Sequence, residues 1–512
     1  MILGGTDREA AGNRTTLDDL FRRAGVRHSA AMALIDPPNR EIFTDGTPRR
    51  LTYAQADRAI SAFAARLRQL GLQTDTVVAL HLPHTVESII ALLGVLRAGM
   101  IAAPLPLLWR QQDIVAALGR IGAKVIVTTA RIGISSQSTS QSTSLAEIAM
   151  QAAAELFPIR YVCSFGLDLP DGVMPLDDIF GPDQLDLVPS SARPGNAAAH
   201  VAVVTFETGA AGLVPVARNH IELIAGGLSA YLESGAVLDA NVLSAIQPGS
   251  FASIALGVVP WLLGGGALTL HHAYDPATFA DQYRTQNGGS IALPGPALAP
   301  LAEAGHLGNA SKTIVALWRS PERIPGNPPW HGDARLVDVA SFGEYGLLAA
   351  QRGADGMPAA IAIGLSGTAP AIETLRTDAS TVALRGAMVP AYAFPPGAER
   401  GPEPHLKPDA AGFVDTGVRC GLNRDTNTLT ITGSPAGITS IGGYRFRQNA
   451  VDWMVAEVDL DATIVALPDA VLDQRLAGTA PDREATEAHL LVRGVNPLIA
   501  GAFRPRGAAK AA

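Results

Sequence analysis

The segment Val203-Val-Thr-Phe-Glu-Thr-Gly-Ala-Ala-Gly-Leu-Val-Pro-Val-Ala-Arg-Asn-His220 gathers residue types suited to holding an anion. A buried strand enters a glycine-containing loop at Thr208, Gly209, Ala210, Ala211 and Gly212, and Asn219 is placed to cap a helix soon after. Backbone N–H groups in such a loop can converge on phosphate oxygens. The loop lacks the six-position glycine pattern of a dinucleotide site and the Gly-Lys-Ser/Thr ending of a P-loop, so alone it also reads as an ordinary strand-to-helix turn. Two histidine pairs, His81 with His84 and His271 with His272, have no carboxylate at ligand spacing, and no metal site is assigned to either. Gly364-Leu-Ser-Gly367 is not the Gly-x-Ser-x-Gly elbow of a serine hydrolase. Arg445 and Arg447, beside Gly442-Gly443, read by themselves as a solvated face.

The elements that must position these residues alternate in type. Thr52 and Gln55 form a capping-box pattern ahead of apolar residues at helical spacing, and Gly71 stops that helix. Strands at Val77–Leu80, near Met100–Pro104 and at Val125–Thr128 are separated by helices from Thr85 to Arg97 and near Gln111–Gly119. Such alternation implies βαβ crossovers and a mostly parallel sheet covered on both faces. The serine- and threonine-rich run 135–144 reads as a solvated loop. A second array follows, with strands at Val201–Phe206, Val242–Ile246, Ala267–Leu270, Ser290–Leu293 and Thr313–Leu317. Beyond Pro358, short β-like pieces among many Gly and Pro predict a small β-rich subdomain, and the tail from about Ile438 a small α/β lid.

Composition bounds the answer. The 512 residues carry a formal net charge of −8, with 47% hydrophobic and 17% charged residues. That excludes disorder by low hydrophobicity and argues against a nucleic-acid or anionic-membrane scaffold. Two cysteines, Cys163 and Cys420, are too few for a disulfide framework, and reduced thiols fit the cytoplasm. The uncharged stretch 241–274 is broken by Pro260 and glycines 264–266, so a buried helix, a glycine turn and a buried strand are expected rather than a membrane span.

As a set, these segments resemble the adenylate-forming superfamily: acyl- and aryl-CoA synthetases, peptide-synthetase adenylation domains and firefly luciferase. The resemblance runs over roughly residues 15–475: Leu51-Thr-Tyr-Ala, Val86–Gly99, Pro104-Leu-Pro106, the glycine loop 208–212 with His220 after it, Phe342-Gly-Glu-Tyr-Gly346, Gly412-Phe-Val-Asp-Thr-Gly417, Ile431-Thr-Gly433 and Ile441-Gly-Gly-Tyr444. It implies an α/β fold of two βα-layered subdomains and a small β-rich one (about 1–195, 196–357 and 358–435), then a reduced C-terminal lid at 436–512. It further implies ATP-dependent adenylation of a small carboxylic acid with Mg2+ and transfer to CoA. By the same carry-over, Thr208–Gly212 face phosphates, Gly343, Glu344 and Tyr345 face adenine, and Asp415 faces ribose. An acyl pocket falls around Pro248, Phe251, Gly265 and Pro294.

The chain departs from the family where charge matters. Val214-Pro215 stands in place of Pro-Lys in the phosphate loop, and the nearest cation is Arg218. Only Lys124, Lys312, Lys407 and Lys510 are lysines, and no C-terminal Pro-Lys-Thr-x-x-Gly-Lys is matched. The magnesium-associated glutamate aligns with Gly346, leaving Glu344 nearby, and the ribose aspartate aligns with Val418. The hinge Gly-Arg-x-Lys-Asp reads Gly433-Ser-Pro-Ala-Gly437. Losing one preorganised charge donor costs about 10²–10³ in rate. Two readings stay open: an acid–CoA ligase with eroded motifs, in which Arg218 and Glu344 are the catalytic candidates, or a non-catalytic pseudo-ligase that holds an acyl or aryl ligand or a partner enzyme. Lid closure of the family's kind would bring Arg445 and Arg447 towards phosphates.

Overall fold

A computed structural model describes residues 15–136, 139–181, 197–272, 275–286, 288–308, 312–366 and 372–504. Helix starts follow the local chemistry of the sequence. Thr52 and Gln55 exchange side-chain and backbone hydrogen bonds at the head of Tyr53–Gln69, and Asn219 and Glu222 do the same for His220–Glu233. These caps satisfy N–H groups that a helix cannot pair internally.

Three sheets carry the main body. A seven-stranded sheet holds Val77–His81, Ile101–Pro104, Val125–Thr129 and Tyr161–Phe165 in parallel, and ends on the antiparallel pair Val201–Gly209 and Gly212–Asn219. An eight-stranded sheet is parallel through Leu268–Leu270, Val242–Ser244, Gly289–Pro294, Lys312–Trp318 and Arg335–Ser341. Met32–Ile35 pairs in parallel with Leu268–Leu270, while Val201–Gly209 joins Ile101–Pro104, so the two sheets exchange strands across the region of residue 195. A six-stranded antiparallel sheet, including Thr381–Gly386, Val414–Asn423 and Thr428–Gly433, forms the β-rich part.

The uncharged stretch forms a buried helical run over 251–264, with a wider π turn at Ile254–Val258, and then the strand Leu268–Leu270. No helix among the described residues is long and apolar enough to cross a membrane. One expectation is corrected. The serine-rich run is not a solvated loop, because Arg131–Ser136 and Thr139–Ser144 pair as an antiparallel hairpin. Polar side chains do not oppose a ladder whose hydrogen bonds come from the backbone, and threonine favours extended conformations.

The C-terminal part packs on its own apolar cluster, with Phe446, Val451, Leu476, Leu490 and Phe503 at its centre. Its first hairpin, Ile438–Ile441 with Tyr444–Arg447, lies against the strand Val201–Gly209.

Candidate functional site

A cleft of about 820 Å³, open mouth included, lies where four elements meet. Phe206, Glu207 and Thr208 come from the end of one strand, Pro248–Ser250 from the loop before the buried helical run, Arg319 from the end of Lys312–Trp318, and Ser341, Gly343 and Glu344 from the loop after Arg335–Ser341. The hairpin residues Gly442–Arg445 close it.

Its electrostatics centre on Glu207, whose side chain is 4% exposed. One carboxylate oxygen, Oε1, accepts from Arg445 Nη1 at 2.6 Å; the other, Oε2, accepts from the backbone N–H of Glu344 at 2.6 Å. Burial works against charge on Arg445, but the Glu207 carboxylate outweighs it and holds the guanidinium above its usual range. Gly343 makes the approach possible. Its φ of +62° is left-handed, and a Cβ there would fall 1.9 Å from Glu207 Oε2 and 2.6 Å from Arg445 Nη1.

Two further charges flank this pair. Arg319 donates from Nη2 to Ser250 Oγ at 3.0 Å and packs against Gly443 of the closing hairpin. Burial lowers its pKa, with Glu344 the largest opposing influence. The Glu344 carboxylate accepts from the backbone N–H of Phe251 at 2.7 Å; burial raises its pKa all the same. Tyr444 accepts from the Leu108 N–H at 3.0 Å, and burial pushes its phenol up to about 12. The cleft therefore holds two carboxylates and two guanidiniums, of which Glu207 and Arg445 form an ion pair.

The residues singled out from sequence are distributed unevenly around this cleft. Thr208, Gly343, Glu344 and Pro248 line it. Gly209 pairs with Gly212, and Ala210 and Ala211 form the exposed two-residue tip between them. The glycine segment is thus a tight hairpin, with Arg447 near Gly212 at its end. Arg218 is fully buried elsewhere. It donates to the carbonyls of Met388, Glu344 and Tyr345, and its guanidinium stacks 3.8 Å over the Phe251 ring. Burial lowers its pKa to about 10. At the position expected for the family's lysine, Pro215 is buried and pairs with Phe206. Asp415 is exposed and accepts from the Gly417 N–H, and Tyr345 is buried outside the cleft lining.

Of the remaining expected pocket residues, Phe251 is buried under Arg218, Gly265 caps a helix beside Arg27 and Asp239, and Pro294 is exposed at a strand end. A second, mostly apolar and narrow pocket adjoins the cleft through Pro248, with room for little more than a water molecule or two as it stands. Leu92, Ile254, Val258 and Leu268 supply aliphatic wall, and His84 and Ser253 its polar points. The histidine pairs are buried and hydrogen-bonded, for example His84 Nδ1 to the His271 carbonyl and His272 Nδ1 to Gln247 Oε1. No group of three or more His, Cys, Asp or Glu able to hold a metal occurs among the described residues.

Glu207 and Arg319, and Trp109 which also lines the cleft, were not singled out by sequence reasoning. A carboxylate next to a phosphate-type loop is a detectable anomaly of sign, whereas Arg319 and Trp109 lie in no motif.

A family model described as AMP-binding enzyme matches residues 22–315, more than half of the chain. The 4-hydroxyphenylalkanoate adenylyltransferase of Mycobacterium marinum is 36% identical over 127 residues, which span 24% of this chain and 20% of that protein. Chondramide synthase cmdD of Chondromyces crocatus is 35% identical over 106 residues, 20% of this chain and 3% of that protein. The match thus spans a small fraction of either relative's length. The amide bond synthetase McbA of Marinactinospora thermotolerans shares the fold, with a TM-score of 0.69 at 17% identity and 94% of each chain covered. The chain belongs to the AMP-binding enzyme family and has the mixed α/β fold of the adenylate-forming superfamily.

Proposed function

We propose that this protein binds a small carboxylic acid as a relative of AMP-forming acid ligases, and that its own adenylation step is severely slowed. Family membership implies ATP use, typically with magnesium. The residues here do not fit a magnesium-bound triphosphate. Pro215 replaces a cation, Arg218 is buried with its Nε and Nη2 on backbone carbonyls, and Glu207 places a carboxylate beside the glycine hairpin. An anionic group in a phosphate site repels the charge that must collect there in the transition state. The insertion of Glu207 between Arg445 and the Glu344 N–H is the observation that carries this reading.

Acid binding draws support from Arg319 and Ser250, which line the cleft, and from the apolar lining of the adjoining narrow pocket, which would have to widen to take an aliphatic or aryl tail. The buried free cysteines Cys163 and Cys420 agree with a cytoplasmic location.

A second reading has its own observation. Arg319 and Arg445 are guanidiniums from outside the glycine loop, and in an active acid–CoA ligase they would replace the missing lysines. ATP–pyrophosphate exchange with mixed carboxylic acids, run beside thermal shift, separates the two. We expect acids to raise the melting temperature, ATP to leave it nearly unchanged, and exchange to stay near background. Robust acid-dependent exchange that Arg319→Ala abolishes would establish the ligase instead.

A further inference from the structure

The Glu207 side chain has the geometry of a bound ligand rather than of a surface ion pair. Its two oxygens are divided between partners on different elements: Arg445 on the closing hairpin and the backbone N–H of Glu344 on the loop after Arg335–Ser341. Gly343 leaves the space that the carboxylate fills. A guanidinium and a main-chain N–H converging on one buried point form a receptor for any oxyanion. Arg319 lines the same cleft.

We propose that Glu207 is an internal oxyanion occupying a binding site made by Arg445 and the Glu344 N–H, and that a ligand's carboxylate or phosphate enters only in exchange for it. The inference rests on the cleft being the ligand site and adds what regulates its occupancy. A tethered carboxylate competes at an effective concentration of about millimolar or above. Free ligand then sees only the fraction of molecules in which Glu207 has swung away, and its apparent Kd rises by the inverse of that fraction. A site filled internally about ten times in eleven weakens external binding by about tenfold. Displacement hands Arg445 from Glu207 to the ligand, so the closing hairpin is then held through the bound oxyanion instead of through Glu207.

The test measures inorganic phosphate and acetate binding by calorimetry, without ATP, in the parent, Glu207→Ala, Glu207→Asp and Glu207→Ala/Arg445→Gln proteins. Glu207→Asp keeps the charge on a side chain one methylene shorter, and so separates occupancy from simple repulsion. We expect at least one of the two anions to bind about tenfold more tightly to Glu207→Ala, a gain also to Glu207→Asp, and loss of that gain in the double variant. A gain for phosphate marks a nucleotide-side site and a gain for acetate an acid-side site. Equal affinities in parent and Glu207→Ala, a gain confined to the neutral variant, or a gain that survives loss of Arg445 would each overturn the proposal. Should Glu207→Ala fail to fold, Glu207→Ser, which also vacates the site, carries the same comparison. Pyrophosphate exchange by the parent is a separate readout, so the slowed-ligase reading and this one can fail independently.

Discussion

Arg218 and Arg319 bear the same group in opposite settings. Arg218 meets three backbone carbonyls and an aromatic face, so its removal leaves buried acceptors without donors. Such a loss costs about 1–3 kcal/mol for each stranded group. Arg218→Met is expected to lower unfolding free energy by several kcal/mol in urea titrations, with the affinity of the folded fraction for acids unchanged. A selective loss of binding at parent-like stability would return Arg218 to the ligand site. Arg319 is the opposite case, because it hydrogen-bonds a serine hydroxyl in the cleft and packs only on a glycine of the hairpin. Removing a charge-assisted hydrogen bond to a ligand costs about 1.5–3 kcal/mol, so Arg319→Ala should weaken carboxylate binding roughly 10- to 100-fold with little effect on melting temperature. The sequence made Arg218 the nearer candidate because spacing along the chain was all it offered. The carbonyls that Arg218 meets lie 126 to 170 residues away, and no local pattern reveals them.

Strands and helices were more legible than the side chains they carry. The capping boxes at Thr52 and Asn219, the parallel strands and the glycine-interrupted buried run all follow from local spacing. The exchange of Met32–Ile35 and Val201–Gly209 between sheets does not, because pairing partners far apart in the chain share no periodic signal. The same long-range packing buries the histidines near strand ends. Burial lowers His81 and His84 to about 4 and His272 to about 3. In the unfolded chain these groups titrate near 6.5. The unfolded state then binds more protons as pH falls below about 6.5, so the stability held by neutral histidines is full above that value and is lost on the way down towards 4. Each contributes a slope of about 1.4 kcal/mol per pH unit. Asp36 and Asp113, raised by burial to about 6, act in reverse: their cost is relieved as pH falls from about 6 towards 4, which offsets part of the loss. Denaturation at pH 7, 6 and 5 should show declining stability, and His272→Gln should flatten the decline by about one proton's share. Stability that is constant or rising from pH 6.5 to 5 would contradict this assignment.

At the scale of the whole molecule, the C-terminal part is held to the body by a few specific ties. Tyr444 meets the Leu108 N–H, Arg445 meets Glu207, and Asp473 meets Ser320 and Arg323. The motif around Gly442-Gly443-Tyr444 marked this region in the sequence, but whether it packs open or closed depends on residues from distant elements. The apolar cluster of this part is separate from the main core, and closure combines these polar contacts with the Tyr444 ring, which packs against apolar clusters on both sides. Removing the phenol oxygen leaves the Leu108 N–H without its acceptor whenever the hairpin is closed, at a cost of about 1–2 kcal/mol. Tyr444→Phe should therefore raise the open population by roughly 5- to 30-fold. Trypsin reads this directly, because Arg445 and Arg447 are half-buried in the closed form while Arg424 is exposed in a turn. Cleavage after Arg445 and Arg447 should accelerate by that factor in Tyr444→Phe, and cleavage after Arg424 should not change. If both sites are cut at the parent rate in Tyr444→Phe, the tyrosine tie does not hold the hairpin, and the Glu207–Arg445 pair is left as its main restraint.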